Sequence, residues 1–451
     1  MAKDKVITNA EVFLWGDRVG TVIWNDQQST ADFEYDAAFI KKGLQLSPVL
    51  MPLSSQTYTF PQLVRQSQRG LPGLLSDSLP DKFGHALIDA WLEVNGRVPG
   101  SLNPVEQLCF IGTRGMGALE YRPAFDTGLS DTKPLAMSEL TKVAAAILDE
   151  RNELSANILK SPKDALLSMI QIGSSAGGNR AKAIIALNPT TGEVRSGQLA
   201  VPEGFEHWIL KFDGANKRSL GDSIGFGRVE YAYYLMAREA GIKMMPCRLL
   251  EEGGRAHFMT KRFDRLQDNE KIHVQSVCAL EHYDHHLNAA YSYEQIFALI
   301  QKMYLGHESS QEMYRRMVFN VLARNQDDHT KNHAFMMNKA GEWQLTPAYD
   351  VMWQYSPTGI WTSVHQLSVN GKRDNFSIAD LEQVADSWGI YKAKEIRHQV
   401  VEAVNMWPKI AQKVGIETKI VKGLQSTHRL AGFSKVVVTK SNVKIKRSRS
   451  L

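Results

Sequence analysis

The sequence predicts an α+β fold of two lobes, with an additional β-rich subdomain at its N-terminus. Three observations predict it. The first 50 residues place short apolar runs around turn signals, as strands do. The middle of the chain sets a Gly-rich loop before a lysine-bearing strand and a helix. From Ser292 onward the apolar spacing is helical.

The chain has 451 residues, and domains usually span roughly 100–200. Hydrophobic residues make up 43% and charged residues 22%, which excludes disordered, collagen-like and coiled-coil proteins. Expected boundaries near 105 and 270 give a β-rich subdomain (1–105), a small lobe with the Gly loop and a hinge (106–265), a helical large lobe (266–432) and a tail (433–451). The net charge of +5 is unevenly distributed. Nine basic and no acidic residues follow Glu417, which leaves 44 basic and 48 acidic groups before it. The tail reads either as a disordered solubilising end or as a basic arm for DNA phosphates. Cys109, Cys247 and Cys278 are far apart, so three buried thiols in a reducing cytosol are expected. The N-terminus lacks the apolar stretch of a signal peptide, and no run reaches the roughly 18 apolar residues of a membrane helix. A soluble, cytoplasmic protein without a membrane partner is expected.

EVFLWG and GTVIWN predict a hairpin around Asp17 and Arg18. PDKFGHALIDAWLEVNG predicts a helix stopped by Gly96, and MSELTKVAAAILDE (137–150) predicts another. GSSAGG (173–178) lies between an apolar approach and the strand-like AKAIIAL. Its glycines admit close backbone approach, so it is either an anion nest for phosphate or a tight hairpin turn. HWILKFDG (207–214) predicts a strand holding Lys211. That lysine is either paired, since an unpaired buried ammonium is costly, or on an edge strand and snorkelling to solvent.

Val229, Ala232, Tyr233, Met236, Ala237 and Ala240 form a helical stripe that Gly241 ends. Glu230, placed in the first turn, is either a solvated dipole partner or the counter-ion of Lys211. CRLLEEGGRAHFMTKRFDR (247–265) predicts strand, Gly-Gly turn, strand. After two helices comes NQDDHTKNHAFMM (325–337), dense in polar groups beside core sequence. Asp350 follows in QLTPAYDVMW.

Phosphoryl transfer from ATP needs these parts in this order. A Gly loop covers the phosphates, a strand lysine held by a helix glutamate contacts them, an Asp orients the acceptor hydroxyl, and an Asn and a second Asp hold Mg²⁺. Asp327 and Asn332 are five apart, the spacing of the kinase catalytic Asp and metal-binding Asn, and Asp350 stands for the second metal ligand. Both metal candidates offer the oxygen donors that Mg²⁺ prefers. The second hairpin strand runs to Lys261–Phe263, where a kinase hinge would hold adenine. The order is that of a two-lobed protein-kinase-like fold. Two rival readings of 327–333 are a transition-metal site at His329 and His333, disfavoured by Lys331 between them, and a solvated loop without chemistry.

VFLWGDRVGTVIW, FEYD, SDSLPDKFG, FIGTRGMGALEY, GSSAGG, HWILKFDG, KRFDR, DDHTKN and TPAYD together resemble the HipA-type serine/threonine kinase toxins of bacterial toxin–antitoxin systems, over nearly the whole chain. Elements like DDHTKN also occur in phosphoinositide-kinase-like folds, so that element alone does not choose the acceptor. The resemblance implies ATP contacts from Ser174, Ser175, Ala176, Gly177, Gly178, Lys211 and Glu230, and adenine at Lys261, Arg262 and Phe263. It implies a catalytic Asp327, with Mg²⁺ on Asn332 and Asp350. It implies autophosphorylation of Ser174, or alternatively Ser175, which would put about two negative charges into the phosphate nest. His329 would orient Asp327 or contact the transferred phosphate, and Lys331 would neutralise charge on it. Lys261 stands where the family often has Glu, and Asp328 where Gly is common; Asp328 either binds metal or, the favoured expectation, faces solvent. The implied partners are a protein substrate (an aminoacyl-tRNA synthetase or other translation factor), a DNA-binding antitoxin, and operator DNA through it. The alternatives are a small-molecule or lipid kinase, and a catalytically idle co-repressor.

Overall fold

The computed structural model describes residues 6–63, 67–125, 134, 181–213 and 225–433. The expected helix at 137–150, the GSSAGG loop with Ser174, Ser175, Ala176, Gly177 and Gly178, and the basic tail from 434 lie outside them.

The N-terminal sheet has the order β3-β2-β1-β4, with β1 (Asn9–Leu14), β2 (Asp17–Asn25), β3 (Thr30–Tyr35) and β4 (Leu119–Arg122), all antiparallel. The first hairpin turns at Trp15 and Gly16, earlier than expected, and Asp17 and Arg18 already belong to β2. Both turn residues have positive φ, 51° and 89°, which suits the twist of a tight hairpin. Val12, Leu14, Val19, Val22 and Phe33 fill the core against helix α2 (Pro104–Ile111). The chain enters that helix through a reciprocal cap, with Asn103 and Glu106 each accepting from the other's backbone N–H. Helix α1 (Lys82–Val94) covers the predicted span. Asp81 caps it by accepting from Gly84 N–H, and Gly96 follows at φ 71°.

The small lobe is an antiparallel sheet of order β6-β5-β7-β9-β8, with β5 (Lys182–Leu187), β6 (Val194–Ser196), β7 (Glu206–Lys211), β8 (Cys247–Glu252) and β9 (Arg255–Lys261). β8 and β9 join through Gly253 and Gly254, both at positive φ. β7 is the middle strand, so Lys211 is not on an edge. Helix α3 (Phe226–Glu239) packs across β8 and β9, and its stripe from Val229 to Ala240 is buried. The helix begins at Phe226, so Glu230 lies in its second turn, not its first, and is buried.

The large lobe begins with β10 (His273–Ser276), which joins β11 (Ala334–Met337) and β12 (Trp343–Leu345) in the order β10-β11-β12. Helices α4 (Tyr293–Lys302), α5 (Gly306–Ala323), α6 (Ile378–Ser387), α7 (Ala393–Asn405), α8 (Trp407–Lys413) and α9 (Thr418–Gln425) complete it, with α7 packed on α5 and α3. Their core contains Phe297, Tyr314, Phe319, Val400 and Trp407. Among the described residues, no helix is long and apolar enough to cross a membrane. The three cysteines are free and buried, and burial pushes each thiol up to about 12.

Gly227 sets how closely α3 meets the hairpin. A Cβ there would stand 1.9 Å from the Ala256 carbonyl oxygen, which is backbone and cannot give way. Gly227→Ala is therefore expected to lower stability by roughly 1–3 kcal/mol, read as a lower denaturant midpoint at unchanged m-value.

Candidate functional site

The β11–β12 hairpin brings the two polar elements together. DDHTKN precedes β11 and TPAYD follows β12, so an antiparallel hairpin places them side by side. Phe335 faces Leu345, and Thr346 N–H donates to Ala334 C=O at 3.0 Å. The Tyr349 hydroxyl donates to the Lys331 carbonyl at 2.8 Å, tying the elements at the site itself. Residues 330–332 form a short 3₁₀ turn and His333 is already extended. His329 and His333 therefore do not share a helix face, and His333 is buried against Tyr293.

Lys211 reaches this hairpin from the sheet. It is 5% exposed and makes ion pairs with Glu230 at 2.5 Å and with Asp350. Three separate elements thus meet at one ammonium. Burial would raise the Asp350 carboxyl, but Lys211 and Lys182 outweigh it and hold it well below the usual carboxylate range. Asp350 has φ 51°, a left-handed conformation that Asp tolerates better than most residues.

Lys182 escaped the sequence reading. It faces Lys211 across the β5–β7 pair, is 3% exposed and lies 3.9 Å from Asp81. Burial lowers its pKa, while Asp350 and Asp81 raise it. The signal was available, because it is a lysine in the apolar run AKAIIAL, as Lys211 is in its own strand.

Asp327 is two-fifths exposed, and its carboxylate lies 3.8 Å from His329 Nε2, beyond hydrogen-bond reach. Asn332 donates its side-chain N–H to the Asp327 carbonyl at 2.7 Å, which leaves its side-chain oxygen as the remaining donor atom for a cation. Lys331 is partly buried.

Asp328, expected in solvent, is 1% exposed. It accepts from the Tyr293 hydroxyl and from His365 Nδ1, each at 2.8 Å, and from Gln366 N–H at 2.9 Å. Arg429 donates to His365 Nε2 at 2.9 Å, so His365 is the tautomer with its proton on Nδ1, facing Asp328. Burial would raise the Asp328 carboxyl, but its contact with His365 and the bond from Tyr293 overcome it and hold it low. Asp328 anchors the loop that presents Asp327.

At the end of β9 the three expected hinge residues differ in role. Lys261 pairs with Glu206 at 2.7 Å. The Arg262 side chain turns inward onto Asp264 at 2.8 and 2.7 Å and is 2% exposed. Its N–H donates to His207 C=O at 2.9 Å and Lys261 N–H to Pro246 C=O at 2.9 Å. Phe263 stacks on Tyr349 with ring centres 6.0 Å apart, and among the described residues its backbone makes no hydrogen bond. Asp264 also accepts from Gly117 N–H at 2.8 Å, while Arg265 donates to the Gly115 and Gly117 carbonyls, each at 2.8 Å.

A β-rich subdomain, a five-stranded small lobe and a helical large lobe, with Lys211, Glu230 and Asp350 gathered between the lobes, define a two-lobed protein-kinase-like fold. The chain belongs to the HipA family: residues 10–122 match the HipA N-terminal domain and residues 174–408 the HipA-like C-terminal domain. Among solved structures it is similar to a chain of the Shewanella oneidensis MR-1 toxin–antitoxin system HipA, HipB and operator DNA complex. That match has 16% identity and a TM-score of 0.64, and covers 94% of this chain and 96% of the other. The Helicobacter pylori proinflammatory kinase CtkA matches at 13% identity and a TM-score of 0.33, over 49% of this chain and 88% of its own, too slight to carry weight. No curated protein sequence matches the chain.

The Asp328 contacts make a pH-dependent contribution to stability. Its folded pKa lies below the unfolded value of about 3.9, so the contribution is complete above that pH and is lost as pH falls through the folded value. Asp328→Asn is expected to cost roughly 2–4 kcal/mol near neutrality. Urea unfolding of both proteins should show that difference constant from pH 7 down to about pH 4 and narrowing below it.

Proposed function

We propose that the chain is an ATP- and Mg²⁺-dependent serine/threonine protein kinase acting as the toxin of a toxin–antitoxin system. The observation that carries this reading is the meeting of Lys211, Glu230 and Asp350 at one buried ammonium, beside the element that holds Asp327 and Asn332. An ammonium fixed by two carboxylates from different elements suits a lysine that must hold nucleotide phosphates at one place.

The donor set fits Mg²⁺. Asp350 and the free side-chain oxygen of Asn332 are the hard oxygen ligands such an ion takes, and when bound it would offset charge on the transferred phosphoryl group. Asp327, exposed at the loop surface, orients the acceptor hydroxyl and receives its proton. His329, too far from Asp327 to hydrogen-bond it, contacts the transferred phosphate, and Lys331 neutralises charge on the moving phosphoryl oxygens. Adenine lies along Lys261, Arg262 and Phe263. The unengaged Phe263 backbone suits hydrogen bonding to the base, while the buried Arg262 side chain serves the hinge by clamping Asp264. The 174–178 loop covers the phosphates, and phosphorylation of Ser174 or Ser175 switches the kinase off by placing negative charge there.

The acceptor is a translation-related protein such as an aminoacyl-tRNA synthetase, and its modification arrests growth. Family membership and the HipA–HipB–operator DNA neighbour favour a DNA-binding antitoxin as partner.

Asp327→Asn and Asp350→Asn are each expected to lower phosphoryl transfer by about 10²–10⁴-fold while the protein stays folded. Phosphoproteomics after induction of the wild type and of Asp350→Asn reads the acceptor directly. Phosphosites present only with the wild type support the proposal. In a parallel radiolabel assay, label confined to small metabolites makes the protein a small-molecule or lipid kinase. Growth inhibition unchanged by Asp327→Asn makes it an idle co-repressor.

A further inference from the structure

Helix α5 delivers the loop that carries Asp327, so whatever closes that helix fixes where the loop starts. The last four carbonyls of a helix have no partner within it. In α5 each has one. Asn320 C=O accepts from the Arg324 and Asn325 N–H groups, and Ala323 C=O from the Tyr233 hydroxyl at 2.6 Å. The two between them, Val321 and Leu322, both accept from Arg429. Its side chain reaches Val321 C=O at 3.0 Å and its backbone N–H reaches Leu322 C=O at 2.9 Å. A cation at this end also suits the helix dipole.

Arg429 follows α9, and Gln326 precedes it by 103 positions. Its side chain is 9% exposed. One terminal nitrogen of the guanidinium donates to Val321 C=O and to His365 Nε2, the latter at 2.9 Å. The other donates to Gln326 Oε1 at 3.3 Å and to the Asp374 carboxylate. Each terminal nitrogen carries two protons, so both are fully used. His365 passes the contact on, because its Nδ1 donates to Asp328 at 2.8 Å. Gln326 and Asp328 flank Asp327. The fork therefore holds the loop on both sides of Asp327, while among the described residues none of its hydrogen bonds goes to Asp327 itself.

The neighbours of Arg429 are fixed as well. Thr427 C=O accepts from Arg324 Nε at 2.8 Å, and its hydroxyl accepts from the indole N–H of Trp353 at 3.0 Å. His428 Nε2 lies 2.9 Å from the Tyr233 hydroxyl. The Phe376 ring faces the guanidinium, 5.2 Å from its centre. Burial, with Arg324 beside it, pushes Arg429 down to about 10, and Asp374 works against that, so the group stays charged at neutrality. Fastening the chain end to the core would need only Thr427 and His428. The fork aims instead at Gln326 and His365, and an ammonium without that planar fork could not meet four acceptors in these directions.

We propose that Arg429 is a positioning residue for phosphoryl transfer, holding the backbone at Asp327 from both sides, through Gln326 and through His365 on Asp328. The effect on rate rests on the kinase reading; the hold on the loop does not.

The test compares the full-length wild type with Arg429→Gln in the transfer of label from radioactive ATP to a fixed protein extract, at varied ATP. The apparent kcat is expected to fall about 10–100-fold with the KM for ATP unchanged, since other elements hold the nucleotide. His365→Asn keeps an N–H for Asp328 and offers Arg429 no ring nitrogen. In that background Arg429→Gln should cost at least about threefold less than it does alone. A kcat unchanged by Arg429→Gln, or lowered by the same factor in both backgrounds, overturns the proposal. Arg429→Lys, which keeps the charge without the fork, takes its place if the glutamine variant does not fold. Deuterium exchange of the same proteins separates this from the kinase reading. A wild type that transfers no label overturns the kinase reading alone. Amides of 325–333 that exchange about tenfold faster in Arg429→Gln, with those of β5 and β7 unchanged, then support the positioning role, and unchanged exchange in 325–333 overturns it.

Discussion

A lysine ammonium in the middle strand of a sheet must be neutralised, because an isolated buried charge is far costlier than any single contact can repay. Lys211 is that group, and much of the architecture follows from answering it. Glu230 comes from α3, so the helix must cross the sheet at a fixed height and rotation. Asp350 comes from the far end of the β11–β12 hairpin, so the large lobe must close against the same point. Removing one partner of such a pair typically costs about 3–5 kcal/mol, which is comparable with much of a domain's stability. The ammonium therefore fixes the relation of Asp350 to two elements more than a hundred residues before it.

The same requirement explains features that would look idle alone. Gly227 lets α3 approach the Ala256 carbonyl closely enough for Glu230 to reach the strand. The left-handed backbone of Asp350 turns its carboxylate back toward the sheet instead of continuing along β12. Asp328 performs a parallel task on the other side. Held by Tyr293, His365 and Gln366, it ties the loop after α5 to a segment nearly forty residues later, and so leaves its neighbour Asp327 exposed on a rigid support.

Much of the framework was legible in the sequence because its signals are local. The stripe from Val229 to Ala240, the Gly253–Gly254 turn and the lysine in HWILKFDG each declare themselves within a few residues. The choice between a paired and a snorkelling Lys211 was not legible, since it depends on strand order, which pairing between distant segments decides. Asp328 misled for the same reason. Nothing beside it forecasts burial, and its partners at 365–367 arrive from a segment without a motif. Glu230 was set one turn too early because Phe226 and Gly227 extend the helix backward past the first apolar residue of the stripe. Lys182 carried the same signal as Lys211 and gained meaning only once β5 was seen to pair with β7.

Asp264 and Arg265 bear on the modularity of the chain. The family is described by two sequence blocks that part between residues 122 and 174, as though an N-terminal piece had been added to a separate core. The contacts do not part there. One buried carboxylate and one buried guanidinium at the end of β9 bind the backbone of residues 115–117. A chain cut between the blocks would strip both groups of their backbone partners at 115–117, at the end of β9. The physical unit is the pair of blocks together, and exchanging the N-terminal block between family members is therefore a change to the end of β9, not to an appendage.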